Sequence, residues 1–426
     1  MAQLSDDCFA FNGPLMTVAD AEAMIAARIG PVTGTMQVTL KDARSRVLAQ
    51  DVISPVNLPP FDNSAVDGYA VRHADLAAEG ITRLSVVDRV QAGSPAMHPI
   101  SPGTVIRIFT GAPMPAGADT VFMQEDCTVD GDFVVLPPGL KPGANRRKSG
   151  EDVKHGSVVL KAGTRLSAHH IGMAAATGLT HLNVRRRVRV ALFSTGDEVA
   201  EPGTPLQPAA IYDANRPLLF EMASTLGAEV TDLGILPDDP ETLQIALRNA
   251  ASDHDLVLTS GGVSTGEADY VRLAVEAIGT LVFWRVAIKP GRPVALGVLP
   301  GGTSGHQAAF AGLPGNPVAA FVTFARIVRP LLLRLAGAAY EPLIAFPVRA
   351  TFAYKKKSGR REYVRVSLRC GDDGALEAVK YAQDGAGVIS SLTQTDGLAE
   401  LTEDMVSVAP GQTIGYLPYA SVMGCR

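Results

Sequence analysis

The sequence lacks the features of a membrane or secreted protein. No stretch reaches the roughly 18 consecutive apolar residues that a membrane-spanning helix needs. Acidic residues stand near the N-terminus, where a secretory signal would carry basic residues before an apolar core. Four scattered cysteines, Cys8, Cys127, Cys370 and Cys425, form no CxxC pair, which argues against a disulfide framework and a zinc knuckle. We therefore expect a cytoplasmic protein.

The sequence also lacks a large net charge of either sign. Lys and Arg number 38 and Asp and Glu 43, so the formal net charge of −5 argues against a nucleic-acid binder that works through a general positive field. Hydrophobic residues make up 46% of the chain, enough for folded cores. The 42 glycines and 29 prolines indicate many tight turns and shaped loops. The length of 426 residues suggests about three domains.

Several catalytic motifs are absent from the sequence. It contains no HExxH or GxxxxGK[ST] pattern, which disfavours zinc-dependent proteolysis and P-loop nucleotide chemistry. The adjacent pair His169 and His170 cannot chelate a metal from one face of a helix, because neighbouring residues diverge there.

Periodicity predicts mixed secondary structure. Thr17 and Asp20 form a capping signal for a first helix, and a second helical stretch is predicted up to about Asp51. Short apolar runs between Gly and Pro predict a β-rich region over 52–152. From 188 onward, strands alternate with helices, which predicts a doubly wound parallel sheet, and the last ~90 residues predict a small β domain.

The segment TSGGVSTGEADY, Thr259 to Tyr270, carries the strongest chemical signal. It follows a predicted strand, and its glycines let backbone N–H groups approach an oxyanion. Glu267 and Asp269 are hard oxygen donors of the kind that Mg²⁺ prefers. An ordinary turn with acidic helix-capping residues explains the same pattern equally well.

Other charged residues follow predicted strands. Asp197, Glu198 and Asp238 are each typical of a helix cap when considered singly, but together they predict an acidic cluster that a metal ion would neutralise. The rigid loops KPGRP and LPGNP stand at strand ends, and Lys289 and Arg292 in the first could hold an anion.

Basic runs elsewhere are expected to be mainly solvated. The segment YKKKSGRREY, Tyr354 to Tyr363, is interpreted first as an exposed basic turn, and the alternative interpretation is a contact with an anion. Arg285 could add a cation near a strand end, and the run Arg185 to Arg187 is interpreted as solvated surface.

These segments, in this order, resemble a known family. The motifs that carry the resemblance are FDNSAVDGYA, IRIFTGAPMP, RRKSGEDV, VALFSTGDEV, IYDANR, PDDP, TSGGVSTGEADY, FWRVAIKPGRP and AGLPGNPVAA. The chain resembles the MoeA family of molybdopterin molybdenumtransferases, which is related to the E domain of gephyrin.

The resemblance implies a fold of four domains in a homodimer. The expected domains are a discontinuous helical linker domain (1–54 and 153–184), a β-rich domain (55–152), a doubly wound parallel-sheet α/β molybdopterin-binding domain (185–336) and a C-terminal β-barrel (337–426). It also implies a Mg²⁺-dependent reaction of molybdate with adenylylated molybdopterin that yields molybdenum cofactor and AMP.

Matching motifs place the family's functional groups on this chain. The catalytic residues so implied are Asp67, Thr110, Asp152, Glu198, Asp238 and Asp269, of which Glu198, Asp238 and Asp269 would hold the metal. The substrate-binding residues are Ser260, Gly261, Gly262, Ser264, Gly266, Arg285, Lys289, Arg292, Pro314 and Pro317. Arg285 and Arg292 stand where the family commonly has lysine, which alters the geometry of anion contacts.

Two other functions remain open at this point. An adenylyltransferase would use a related α/β domain and consume ATP, and a gephyrin-like scaffold would cluster partner proteins. Expected partners are small-molecule substrates, a second copy of the chain, and transiently the adenylyltransferase or acceptor molybdoenzymes, with neither nucleic acid nor membrane.

Overall fold

A computed structural model describes residues 4–5, 8–10, 15–261, 270–302 and 305–424, apart from the side chain at position 283. The chain divides into two compact units. The first comprises Met1–Gln50, Ala162–Ser167 and Asn183–Arg426, and the second Asp51–Lys161 and Ala168–Leu182. Within the described ranges, none of the helices combines the length and the apolar character that crossing a membrane requires. The four predicted domain boundaries stay a prediction.

The elements up to residue 185 are mostly short strands. In chain order they are α1 (Val18–Arg28), β1 (Thr35–Thr39), β2 (Val52–Ile53), β3 (Asn63–Ser64), β4 (Gly68–Val71), β5 (Thr82–Val90), β6 (Thr104–Ile108), β7 (Thr120–Met123), β8 (Thr128–Asp130), β9 (Phe133–Leu136), β10 (Arg146–Arg147), β11 (Val158–Leu160), α2 (Ala168–Ala176) and β12 (His181–Arg185). Short 3-10 helices lie at Leu40–Asp42, His73–Asp75 and Gln124–Asp126.

The first helix forms where its capping signal predicts it. The Thr17 hydroxyl accepts a hydrogen bond from the Asp20 N–H at 3.1 Å, and the Asp20 carboxylate accepts one from the Thr17 N–H at 3.3 Å. The predicted second helical stretch is wrong, because strand β1 and a 3-10 turn occupy it. The run TMQVT in β1 contains three β-branched residues, which favour a strand.

A six-stranded sheet forms the body of the second unit, with the order β7-β4-β6-β5-β9-β8. Strands β5 and β6 are parallel, and the other neighbours are antiparallel. A Cβ atom at Gly68 would collide with the carbonyl oxygen of Phe122, so only glycine lets β4 approach β7 here. This close approach fixes the backbone directly after Asp67. The β-rich prediction for this region is confirmed.

The stretch from 189 to 335 alternates strands and helices. Its elements are β13 (Arg189–Thr195), β14 (Val199–Ala200), β15 (Ile211–Tyr212), α3 (Asn215–Thr225), β16 (Glu229–Leu236), α4 (Pro240–Asp253), β17 (Leu256–Ser260), α5 (Tyr270–Ile278), β18 (Thr280–Arg285), β19 (Ile288–Lys289), β20 (Pro293–Gly301), β21 (His306–Leu313), α6 (Pro317–Thr323), a π-helical turn (Phe324–Val328) and α7 (Arg329–Leu335).

The central sheet of this stretch has the order β16-β13-β17-β21-β20-β18. The first four strands are parallel, as predicted, whereas β20 and β18 are antiparallel to their neighbours. Short connections explain the difference, because a parallel neighbour needs a crossover of about a dozen residues. Helices α3 and α6 contribute to the hydrophobic core on one face of the sheet, and α4 and α5 to the core on the other. The carboxyl ends of β13, β17 and β21 therefore meet along one edge.

The C-terminal stretch closes into a barrel. Its elements are β22 (Phe346–Ala350), β23 (Tyr354–Lys355), β24 (Arg361–Cys370), β25 (Leu376–Lys380), α8 (Ser390–Thr393), β26 (Gly397–Leu401), β27 (Ser407–Val408), β28 (Thr413–Pro418) and α9 (Tyr419–Met423). The ring runs β24-β25-β22-β28-β26 and closes by pairing β26 with β24. Strand β19 pairs with β24, so the loop that carries Lys289 is attached to the barrel. The predicted C-terminal β-barrel is confirmed.

Candidate functional site

A cavity of about 110 Å³ lies at the carboxyl ends of β13 and β17, and we call it the strand-end cavity. Its polar and glycine lining includes Ser194, Thr195, Glu198, Asp213, Asn215, Ser260, Gly261 and Gly315, with Pro317 beside them. Polar groups gather here because the parallel strands all end at this edge, where loops must turn into helices.

Asn215 holds two loops of the strand-end cavity together. Its side-chain Nδ2 donates hydrogen bonds of 2.7 Å to Ser260 Oγ and 2.7 Å to the Gly315 carbonyl oxygen. Within the described ranges, the buried atoms Ser194 Oγ, Asn215 Oδ1 and Thr259 Oγ1 have no hydrogen-bond partner. Buried polar atoms are rarely left unpaired, so these three mark the neighbourhood of the cavity as one that suits a polar ligand.

Acidic groups stand at the same edge of the sheet. The Thr195 hydroxyl donates a short hydrogen bond to Asp238 Oδ1, which joins the ends of β13 and β16. Glu198 is exposed and lines the cavity. Asp213 is paired with Arg216 at 3.0 Å, so its charge is already compensated.

The predicted third metal ligand, Asp269, lies outside the described residues. In the part of the chain that the structure describes, no group of three or more His, Cys, Asp or Glu side chains is placed to hold a metal ion. The metal site at Glu198, Asp238 and Asp269 therefore stays a prediction.

A second cavity, of about 360 Å³, lies between the α/β sheet and the barrel, and we call it the barrel cavity. Lys289, Asn316, Tyr354 and Arg365 belong to its lining. Arg365 is buried, and its Nε donates a 3.0 Å hydrogen bond to Ser391 Oγ. Its Nη2 donates to two carbonyl oxygens of the barrel loops. These bonds fix a guanidinium in the cavity wall.

Lys289 is held by two barrel residues. Its Nζ donates a 3.1 Å hydrogen bond to the Tyr354 hydroxyl and lies 3.3 Å from Glu362 Oε2. Burial by itself would lower the pKa of Lys289, but the contacts with Tyr354 and Glu362 outweigh it and raise the pKa. The ammonium group is therefore charged at neutral pH.

A basic cleft of about 350 Å³ continues from Lys289. Arg292 of the KPGRP loop and Lys357 and Arg360 of the YKKKSGRREY turn line it. Arg360 is paired with Glu362 at 2.7 Å. The turn that was expected to be mainly solvated thus shares one cleft with the two cations of the KPGRP loop.

The LPGNP loop forms a wall of both cavities. Pro314 and Asn316 line the barrel cavity, while Gly315 and Pro317 line the strand-end cavity. Because alternate residues of one short loop face the two spaces, a cationic cavity and a hydroxyl-lined cavity lie directly beside each other.

In the second unit, Asp67 and Thr110 form a tight pair. Asp67 Oδ1 accepts hydrogen bonds of 2.8 Å from the backbone N–H and 2.8 Å from the hydroxyl of Thr110. These two bonds, the backbone bond first, lower the pKa of Asp67. Asp152 is exposed, and its N–H donates to the Leu58 carbonyl oxygen at 3.0 Å.

Three family models match the chain in succession. They are "MoeA N-terminal region (domain I and II)" over residues 16–178, "Probable molybdopterin binding domain" over 191–334 and "MoeA C-terminal region (domain IV)" over 347–419. Together they span most of both units, including the barrel of the first.

Relatives match over nearly the full length. A molybdopterin molybdenumtransferase from Haemophilus influenzae is 38% identical over 96% of this chain and 100% of its own length. One from Nostoc sp. is 36% identical over 94% of this chain and 93% of its own length. The crystal structure of a molybdopterin biosynthesis moeA protein from Pyrococcus horikoshii has a TM-score of 0.77 at 28% identity and covers 95% of this chain and 100% of that one. The chain belongs to the MoeA family. As a member of the MoeA family, it is a transferase with a role in molybdenum cofactor biosynthesis.

The predicted site residues of this MoeA chain fall into groups. Ser260, Gly261, Glu198 and Pro317 line the strand-end cavity, and Lys289 and Pro314 the barrel cavity. Arg292 lines the basic cleft. Arg285 is exposed and belongs to the lining of none of these three spaces in the described ranges. Gly262, Ser264, Gly266 and Asp269 lie outside the described residues.

Sequence reasoning gave no individual role to three residues that the structure brings into these cavities. Asn215 lies in the segment IYDANR, one of the motifs that carry the resemblance, and the motif alone gives its asparagine no role. Tyr354 and Arg365 belong to the barrel, more than 60 residues along the chain from Lys289, and only the folded chain shows that they share its cavity. A charged residue at a buried position of β24 was the signal for Arg365.

Proposed function

We propose that the chain inserts molybdenum from molybdate into adenylylated molybdopterin and releases AMP. The observation that carries this proposal is the double-sided LPGNP loop, which places a cationic cavity next to a hydroxyl-lined one. The reaction needs two anions to meet that repel each other in water. Two neighbouring spaces with different chemistry suit such a pair.

The barrel cavity suits molybdate, the smaller anionic substrate. Lys289 supplies an ammonium group and Arg365 a fixed guanidinium, and both are donors that bind oxyanions well. Arg292 extends the positive charge along the basic cleft. In this proposal the cations lower the repulsion between the substrates as they approach.

The strand-end cavity suits the pterin substrate and its phosphates. Ser260 and Gly261 stand at the end of β17, where backbone N–H groups and hydroxyls can donate to phosphate oxygens. Asn215 positions Ser260 for this role through its 2.7 Å hydrogen bond. We assign Gly262, Ser264 and Gly266 of the same segment to substrate binding on the strength of the family motif.

Glu198 and Asp238, with Asp269, are the residues that would hold Mg²⁺. The side chains fit the ion in kind, because carboxylates at a polar strand end are its usual protein ligands. When bound, the ion would supply positive charge to neutralise the substrate's phosphates. Thr195 orients the Asp238 carboxylate by its hydrogen bond.

We further propose that Asp67, Thr110 and Asp152 act in the same reaction and that the protein works as a cytoplasmic homodimer. The Asp67–Thr110 pair supports a functional role because an exposed threonine and a carboxylate are locked together by two hydrogen bonds of 2.8 Å. The proposed domain boundaries are those expected from the family pattern.

The test is AMP release by the purified protein from adenylylated molybdopterin, with and without molybdate and Mg²⁺. We expect release to need both additions, and ATP not to be consumed when molybdopterin is offered instead. Release that is independent of molybdate, or adenylylation of molybdopterin with ATP, would overturn the proposal in favour of another activity.

Asp238→Asn and Asp239→Asn form a matched pair for the same assay. Both remove one negative charge, at adjacent positions. Asp239 is the N-cap of α4, where its carboxylate accepts a 2.8 Å hydrogen bond from the Thr242 N–H, and asparagine can keep that cap. We expect AMP release to fall at least tenfold, as an order of magnitude, in Asp238→Asn and to stay within about twofold in Asp239→Asn.

A further inference from the structure

Four arginines surround a small cavity in the first unit. Arg46, Arg185, Arg186 and Arg187 line it, together with Ser45 and Gly227, and we call this group the arginine cluster. The cavity has a volume of about 20 Å³, room for about one water-sized group. Arg186 in its lining is exposed, so the cavity opens to solvent and a larger occupant extends outside it.

The fold builds this cluster in a defined way. The Arg46 Nη2 donates a 2.8 Å hydrogen bond to the Arg185 carbonyl oxygen. The Arg187 Nη1 donates a 2.9 Å hydrogen bond to the Gly227 carbonyl oxygen. Gly227 has a φ of +96°, and a Cβ atom there would lie 2.6 Å from the Ser45 carbonyl oxygen. Only glycine therefore lets the two backbone segments meet, which brings the arginines together.

In the part of the chain that the structure describes, the arginine cluster has no direct ion-pair partner, and the charge of Asp42 acts on Arg46 only from a distance. Within the described ranges, no carboxylate forms an ion pair with any of the four guanidinium groups. Arg46 is 8% exposed, so a charge is buried among like charges. Burial first, and then the charges of Arg187 and Arg186, lower the pKa of Arg46, and Asp42 opposes them only in part. A buried cation without an ion pair is costly unless an anion compensates it.

The arginine cluster lies away from the site proposed for the reaction. Arg187 precedes β13 and Gly227 precedes β16, so the cluster is at the amino-terminal edge of the parallel strands. The strand-end cavity is at the carboxyl edge. The seven residues of β13 separate the two edges by about 20 Å.

We propose that the arginine cluster is a binding site for a tetrahedral oxyanion, separate from the reaction site. Each guanidinium carries five donors in a planar fork, and the hydrogen bonds to backbone carbonyl oxygens use few of them. Phosphate and molybdate share the shape and charge that such donors recognise. This site is independent of the function proposed above, because none of its residues lines the cavities used there.

The test measures binding of inorganic phosphate to the full chain by calorimetry at low salt. A Lys289→Ala background removes one of the two cations of the barrel cavity and so weakens phosphate binding there, while Arg365 remains. We expect saturable binding in this background and a roughly tenfold weaker affinity after a further Arg186→Gln change. Arg186 is exposed, and its backbone N–H donates a 2.7 Å hydrogen bond to the Gly34 carbonyl oxygen, which glutamine keeps. Within the described ranges its guanidinium makes no hydrogen bond, so this variant should fold normally.

Arg44→Gln is the matched control. Arg44 is exposed, lies two residues from Arg46 and is not part of the cavity lining, so the same loss of charge should change the phosphate affinity less than about twofold. Molybdate should compete with phosphate in the Lys289→Ala background and lose affinity equally with Arg186→Gln.

Three results would overturn the proposal. One is the absence of saturable phosphate binding in the Lys289→Ala background. Another is an equal effect of the Arg44 and Arg186 changes, which would indicate only a general field. The third is a change of oligomeric state in sedimentation with Arg186→Gln while phosphate binding stays the same, because the cluster would then serve a second copy of the chain.

Discussion

Asn215 donates a hydrogen bond of 2.7 Å to Ser260 Oγ, and this single contact ties the start of helix α3 to the end of strand β17. The same amide donates a 2.7 Å hydrogen bond to the Gly315 carbonyl oxygen in the loop before α6. Three segments that are 45 and 55 residues apart along the chain thus depend on one side chain. Both partners and the amide itself lie on the wall of the strand-end cavity.

We expect Asn215→Ala to weaken substrate binding and stability together. Truncation leaves the buried Ser260 hydroxyl without its donor, which costs about 1–3 kcal/mol of unfolding free energy. The KM for adenylylated molybdopterin should rise because Ser260 loses its fixed position. Urea unfolding and steady-state AMP release measure the two effects.

Asn63→Ala is a control of the same chemistry in the second unit. The Asn63 Nδ2 donates to the Phe61 carbonyl oxygen at 3.3 Å, and Asn63 is not part of the lining of the strand-end cavity. This change should cost stability but leave the KM within about twofold of the original. An equal rise in KM for both variants would show that loss of stability, and not the position of Ser260, explains the kinetics.

The Asp67–Thr110 pair makes a prediction about pH. Thr110→Val removes the hydroxyl bond but keeps the backbone N–H bond, which is the larger cause of the lowered pKa of Asp67. The pKa of Asp67 should therefore rise only part of the way to its ordinary value. A carboxyl-carbon NMR titration of the wild type, Thr110→Val and Thr110→Ser measures this.

The sign of the stability effect follows from the lowered pKa. A carboxylate whose pKa is lower in the folded state stabilises the fold above its unfolded pKa, and this contribution is lost as the pH falls through the folded pKa. In Thr110→Val this loss of stability should occur at a higher pH than in the wild type, but still below about pH 4. Thr110→Ser keeps the hydroxyl, so a titration curve shifted like that of Thr110→Val would contradict the role of the hydroxyl bond.

Local signals in the sequence predicted elements well. The capping box at Thr17 and the Asp239-Pro240 start of α4 each depend on no more than four consecutive residues, and both helices begin there. The second helical stretch failed because the β-branched residues of β1 find a partner strand far along the chain. The antiparallel edge of the sheet was missed because the pattern of apolar runs does not record strand direction.

The candidate site was predictable where it follows strand ends. Ser260, Gly261 and Glu198 could be placed in one region from the rule that parallel strands end at a common edge. The barrel cavity could not be derived in this way. It forms because β19 pairs with β24, and that pairing brings Tyr354 and Arg365 to Lys289 across more than 60 residues.

We expect Tyr354→Phe to change the alkaline limit of molybdate use. The Tyr354 hydroxyl accepts a hydrogen bond from Lys289 and donates one of 2.8 Å to Glu362 Oε2, and these contacts raise the pKa of Lys289 against the effect of burial. Without the hydroxyl the pKa of Lys289 falls. The KM for molybdate, measured over about pH 8–11, should begin to rise at a lower pH in the variant.

The direction follows from the charge that binds the anion. Lys289 attracts molybdate only while protonated, and a raised pKa keeps it protonated to a higher pH. Tyr381→Phe removes a hydroxyl that contacts Ser390 and Gln394 instead, at 3.3 and 3.2 Å, and should leave the profile unchanged. Identical profiles for Tyr354→Phe and the wild type would remove Lys289 from molybdate binding.

Among the predictions about stability, a change at Arg216 has the largest expected effect. It pairs with the buried Asp213 at 3.0 Å and also with Glu201 and Asp232. Arg216→Met leaves the Asp213 carboxylate buried without its cation, which should cost about 3–5 kcal/mol in urea unfolding. AMP release should fall as well, because Asp213 lines the strand-end cavity.

Two further variants separate a lost ion pair from a general loss of charge. Asp213→Asn combined with Arg216→Met removes the stranded charge and should recover part of the stability, because the cost lies in the uncompensated carboxylate. Arg189→Met breaks a pair with Asp255 at 3.4 Å whose arginine is 45% exposed, and it should cost no more than about 1 kcal/mol. If Arg216→Met were no less stable than Arg189→Met, the buried pair would contribute nothing to the fold around the cavity.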